Sequence, residues 1–188
     1  MGQREDAMIL LTFVFAFGAN GHDCTDCGAP LEGGGRHGGT GMSFYYADTL
    51  HGNYTTAGVA LFYSSSGNIV LGTVPSGATV TKAFLVWAIV ANAANSSMTF
   101  NGTPLAATAT GTSPTPCRAG FGSTTYAYIA DVTALVTGNG TYALAGFPTY
   151  TEGASLIVIY DLATDPLRNA VVYAGSYTLE GGIYAEYR

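Results

Sequence analysis

Along this chain apolar and polar positions alternate in short blocks and show no sustained period of 3.6, a pattern that predicts strands and not helices. From about Ser43 onward the segments 43–47, 57–63, 68–74, 79–91, 97–101, 104–109, 124–130, 140–146, 153–162, 168–178 and 182–187 read as strands. Turn residues punctuate them: Ser66-Gly67-Asn68, Pro75-Ser76-Gly77, Asn101-Gly102, Gly138-Asn139-Gly140 and Asp165-Pro166. Ala83 to Ala91 and Ala154 to Tyr160 are nearly unbroken apolar runs, as expected of central strands covered on both faces. Only Asp131 to Val136 reads as a helical turn, with Asp131 as its N-cap. The expected class is all-β, built as a two-layer sandwich.

The most apolar run comes first. In residues 7–17 the bulky side chains Ile9, Leu11, Phe13, Phe15 and Phe17 fall on every odd position, the signature of a strand with one large face. A secretory signal peptide would carry a positive leader, whereas Arg4 is followed at once by Glu5 and Asp6. The run is also too short to span a bilayer as a helix, which takes about 20 apolar residues. Burying five large side chains and ordering the backbone beneath them nearly cancel, so a ladder of main-chain hydrogen bonds decides whether such a strand docks. Behind it, residues 18–41 hold nine glycines and form a linker with little intrinsic structure. Fully extended it would span up to about 80 Å, enough to reach another molecule or to return to its own. The expected organisation is an arm over 1–17, a linker over 18–42 and a sandwich over 43–188.

Composition narrows the setting. Only 10% of residues are charged and Lys82 is the single lysine, while Gly, Thr, Ala, Ser, Val and the 13 tyrosines dominate. Such a surface of hydroxyls and aromatics suits an extracellular protein. A net charge of −6 argues against nucleic acid and against anionic membrane surfaces as partners. In an oxidising compartment Cys24, Cys27 and Cys117 leave one thiol over, and spacing does not choose among the possible disulfides.

Specific chemistry is sparse. Gly33-x-Gly35-x-x-Gly38 has the spacing of a dinucleotide loop, but no strand precedes it and no apolar helix follows. His22, Cys24, Cys27 and His37 are zinc-ligand types, and Asp23, Asp26 and Glu32 calcium-ligand types, yet a linker carrying thiols or a disulfide accounts for them, and no metal is expected. Ser64 to Ser66 lack a nucleophile elbow and the three histidines lie in or near the linker, so no enzyme and no cofactor is expected. Asn53, Asn95, Asn101 and Asn139 head Asn-x-Ser/Thr sequons at expected loops or hairpin tips, where glycans are sterically possible, and Thr108 to Pro116 is the kind of stretch that carries O-linked sugar. Trp87 reads as core, whereas Tyr45, Tyr46, Tyr54, Tyr63 and Tyr150 are candidates for stacking on sugars.

Ala83-Phe-Leu-Val-Trp87, Met98-Thr-Phe-Asn-Gly-Thr-Pro-Leu105, Ala130-Asp-Val-Thr-Ala-Leu-Val136 and Gly138-Asn-Gly-Thr-Tyr-Ala-Leu144 are similar to the strand and corner motifs of galactose-binding-like jelly-roll sandwiches. With Ala154-Ser-Leu-Ile-Val-Ile-Tyr160 and Pro166-Leu-Arg-Asn-Ala-Val-Val-Tyr173, the stretch 66–178 also resembles uncharacterised surface modules of bacteria and archaea. The leading strand and linker resemble, in layout only, the donor-strand subunits of pilus-like filaments. That likeness implies a structural subunit of an extracellular homopolymer, whose N-terminal strand inserts into the sandwich of the adjacent copy. The alternative it leaves open is a carbohydrate-binding or adhesive surface module.

Overall fold

The computed structural model describes residues 7–12, 38–114 and 124–178. They form eleven strands: β1 (Ala7–Thr12), β2 (Gly38–Ala60), β3 (Ser66–Leu71), β4 (Thr79–Ala91), β5 (Met98–Phe100), β6 (Thr103–Leu105), β7 (Ala109–Pro114), β8 (Thr124–Asp131), β9 (Gly140–Ala145), β10 (Thr151–Asp161) and β11 (Leu167–Thr178). One sheet runs β1-β11-β2-β10-β4-β8-β7 and the other β3-β9-β5-β6. Set β1, β7 and β11 aside and count the other eight in chain order. The first sheet then holds the first, eighth, third and sixth, and the second sheet the second, seventh, fourth and fifth. Successive strands thus wrap between two antiparallel sheets, as in a jelly-roll sandwich.

Alternation along the central strands builds two cores. Ala83, Leu85, Trp87 and Ile89 of β4, with Leu156 and Val158 of β10, face the second sheet and meet Ile69, Phe100, Tyr142 and Leu144. Trp87 is completely buried, as its apolar run predicts, and stacks on Tyr128 with ring centroids 5.3 Å apart. The intervening residues Phe84, Val86, Ile157 and Ile159 face the other way and join Leu50, Ile129, Ala170 and Val172 in a second core. Both faces of β4 and β10 are therefore covered, which explains their unbroken apolar sequence.

The second cover comes from β2 and β11. The second half of β2, Gly52 to Ala60, pairs with β10, and the first half, Gly38 to His51, pairs with β11. The partner changes between His51 and Gly52, where a Cβ on Gly52 would run into the Tyr160 carbonyl oxygen. Beyond that point the β2–β11 ribbon lies over the outer face of β4, placing Tyr46 and Tyr45 edge-on to Phe84 at 5.3 and 5.4 Å between centroids.

Four expectations differ from what the chain does, one being the segment 104–109, which ends as strand at Leu105 and is followed by β7 at Ala109–Pro114. The segments 43–47 and 57–63 belong to one long strand, because His51-Gly-Asn53 is a change of partner and not a turn. Residues 38–42, expected to end the linker, are already strand: Gly41 pairs with Ser176, and a Cβ on Gly175 would strike the Gly41 carbonyl, so these glycines serve close backbone approach. Ser66-Gly67-Asn68 opens β3 instead of turning, since Gly67 leaves room for Leu61 and Val59. The expected helical turn is a 3₁₀ turn at Thr133–Leu135, with the Asp131 carboxylate accepting the Thr133 N–H at 2.9 Å. The expected strand 182–187 lies outside the described residues. No helix among the described residues is long and apolar enough to cross a membrane.

Candidate strand-addition site

The leading segment enters the fold by backbone register. β1 runs parallel to β11 at one end of the seven-stranded sheet, with Ala7 level with Arg168, Ile9 with Ala170, Leu11 with Val172 and Thr12 with Tyr173. Ala170 and Val172 are fully buried members of the second core. The odd positions of the arm are thus level with the residues of β11 that build that core, matching the two-residue period of the sequence. Phe13, Phe15 and Phe17 lie outside the described residues. β11 offers β1 the edge that β2 leaves free, and a six-residue ladder satisfies groups that would otherwise stand open.

Past Tyr173 the surroundings of β11 change. The first sheet rolls until β7, its opposite end, meets Gly175 and Ser176. The meeting is made of small side chains: a Cβ on Gly111 would crowd the Ser176 N–H and the Thr40 hydroxyl. Thr112 donates its backbone N–H to Thr40 Oγ1 at 3.1 Å, and the buried hydroxyls of Ser113 and Ser176 are 2.7 Å apart. Beside them a cavity of about 10 Å³ opens among Val86, Thr110, Ala127, Ile129, Tyr173 and Ala174. Among the described residues β7 has a ladder with β8 on one edge and none on the other. Reading the sequence does not single out Gly111, Ser113 or Ser176; the only signal is a run of small hydroxyl residues without a large one.

Near the start of β4 lies the polar group of the ribbon. Lys82 Nζ bonds Asp131 Oδ2 at 2.8 Å and stands 5.9 Å from the Tyr46 ring centre, and Tyr46 donates its hydroxyl to Asp48 at 3.1 Å. Burial pushes the Asp131 carboxyl up, but hydrogen bonds from Lys82 and Thr133 and the lysine charge outweigh it and hold it below the usual carboxylate range. Burial, then the hydrogen bond to Asp48 and the carboxylate charges, push the Tyr46 phenol up to about 12. Every member is already paired within the cluster, which clasps the ribbon to the start of β4.

The remaining expected sites are dispersed. Asn53 lies within β2, level with Tyr160, and not in a loop, because the break expected there does not occur. Asn95 sits in the β4–β5 loop and accepts the Ser97 N–H, while Asn101 sits at the β5–β6 hairpin tip and accepts the Ala143 N–H. Asn139 is at a turn, yet its amide both accepts from and donates to the Val74 backbone at 2.8 Å, so it ties the β3–β4 and β8–β9 connections together. Cys24, Cys27 and Cys117 lie outside the described residues, as do His22 and His37. No group of three metal-ligating side chains gathers among the described residues. The tyrosines are spread out: Tyr45, Tyr46 and Tyr54 along β2, Tyr63 in the β2–β3 turn and Tyr150 before β10. Comparison with protein-family models, with curated proteins and with solved structures found no match.

Proposed function

We propose that this chain is a structural subunit of an extracellular homopolymeric filament, assembled head-to-tail by pairing β1 of one copy with β11 of the next. The observation that carries the reading is the surplus length of the connector. Thr12 is level with Tyr173 and Gly38 with Thr178, on strands that flank β11. Five residues along the strand and two strand spacings across separate them by about 20 Å. Residues 13–37 supply 25 residues, which extend to about 80 Å. A hairpin returning over one strand needs a quarter of that reach, which leaves length enough for an arm exchanged between copies.

Edge position supports the same reading. β1 joins the sheet at its end, so exchanging it leaves the jelly roll and both cores in place. The pairing within one chain is then the self-capped form of the free subunit, and the heterologous contact between copies extends without closing. The scarcity of charge and the wealth of hydroxyls favour an extracellular setting, where glycans at Asn95 or Asn101 are compatible with the fold. The test compares the full chain with one beginning at residue 20, by negative-stain microscopy and light scattering. Fibres are expected from the first and monomers or misfolded protein from the second. Identical monomeric behaviour of the two overturns the reading.

A further inference from the structure

We propose that the outer face of the four-stranded sheet, β3-β9-β5-β6, is a contact surface for a second copy of this chain, and that it holds neighbouring filaments side by side. The pairing of filaments rests on the filament reading above; the face itself does not. Charge supplies the first argument. Every Asp, Glu, Lys and Arg among the described residues lies on the first sheet or its β10–β11 turn, from Asp48 on β2 and Lys82 on β4 to Arg168 on β11. β3, β9, β5 and β6 carry none. Two copies with a formal charge of −6 each repel one another where like charges meet. The uncharged sheet is the face on which they approach at the least electrostatic cost, and it offers an ionic partner nothing to pair with.

Shape is the second argument. Register sets Ser66, Ala145, Thr99 and Pro104 in one row across the four strands, with Asn68 beside Ala143 and Val70 beside Thr141. These positions alternate with Ile69, Phe100, Tyr142 and Leu144 of the main core, so they face outward. Val70 is 69% exposed, the most exposed large apolar side chain among the described residues. No side chain in these rows is longer than that of asparagine, so a second sheet can close to the spacing of about 10 Å at which sheets stack.

Area is the third argument, and it fixes the setting. Strands about 4.8 Å apart and up to six residues long give the face roughly 300 Å². A standard stable interface covers about 800 Å² on each partner. One such contact does not hold two free subunits together. Repeated along two filaments it adds at every step, because each further contact is intramolecular once the first has formed.

The test puts charge on the face. In the full chain made without glycans, Val70→Glu with Ala143→Glu is compared with Ala163→Glu with Thr164→Glu, which adds the same charge at the β10–β11 turn. Negative-stain images of the unaltered chain and of the turn variant should show filaments in lateral pairs. The face variant should show at least tenfold fewer pairs at an unchanged elongation rate. Pairs as frequent in the face variant as in the turn variant overturn the proposal, as do unpaired filaments from the unaltered chain. If the face variant does not fold, Asn68→Lys with Thr141→Lys takes its place, with Ala163→Lys and Thr164→Lys as its control. Absence of all fibres overturns the filament reading, and the face is then decided on free subunits by the second virial coefficient from light scattering. A value more repulsive for the face variant than for the turn variant supports the contact, and equal values overturn it.

Discussion

The core between the two sheets and the seam between β7 and β11 are both buried, yet they are built in opposite ways. In the core, Trp87, Phe100, Leu85 and Leu156 interdigitate at full burial, and β4 has ladder partners on both edges. In the seam, Gly111, Ser113, Gly175 and Ser176 meet through two hydroxyl-mediated bonds beside a small void. Dispersion and burial scale with side-chain size, so the core carries most of the stability and the seam little. What the seam does have is directional hydroxyl bonding, which specifies register without much energy. A molecule built this way can open at one place while the rest stays folded.

The largest effect that would test this contrast is in the core. Trp87→Ala should destabilise the sandwich by about 3–5 kcal/mol, measured by urea unfolding. A loss below about 1 kcal/mol would show that the core is not where stability resides. In the seam, Ser113→Ala leaves the Ser176 hydroxyl buried without its partner and should cost about 1–3 kcal/mol, as should Ser176→Ala. The double variant should be no worse than either single one, because both polar groups are then gone, and a double-mutant cycle reads that coupling directly. Strictly additive losses would mean that the two hydroxyls do not depend on each other.

The smallest effect belongs to the surface clasp, half-exposed on both partners. Asp131 has its carboxyl pKa depressed in the folded chain, so its contribution is complete above the ordinary carboxylate range and disappears as pH falls through the lowered value. Asp131→Asn should therefore cost up to about 1 kcal/mol at pH 7, and the gap to the unaltered protein should close on acidification. A gap that persists in acid would point to lost packing and not to the Lys82 pair.

How legible each part was in the sequence follows the same division. The strands of the core could be read almost residue by residue: β4 spans the expected 79–91, and β8, β9, β10 and β11 lie within two residues of expectation. Large apolar side chains announce a buried face locally, and Gly or Pro announces where it ends. Trp87 was legible for that reason. The start of β2, its change of partner and the seam were not. Gly38 to Gly41 and Gly52 look like linker and turn because glycine carries no periodic signal, and their real role depends on Gly175 and Tyr160 more than 100 residues away. Asn139 was likewise visible as a sequon, whereas its bonds to Val74 exist only once two distant turns meet. The leading apolar run was legible as a strand over the part described, Ala7–Thr12, but the identity of its partner, β11, was not.

The parallel direction of β1 on β11 also has a mechanical meaning. The connector side of β1 is its Thr12 end, level with Tyr173, while β11 is held at the opposite end of their shared stretch, where Leu167 follows the β10–β11 turn. A tension arriving through the connector and resisted through that turn pulls the two strands past each other along their length. All six register pairs then bear the load together, in shear, instead of peeling open one at a time.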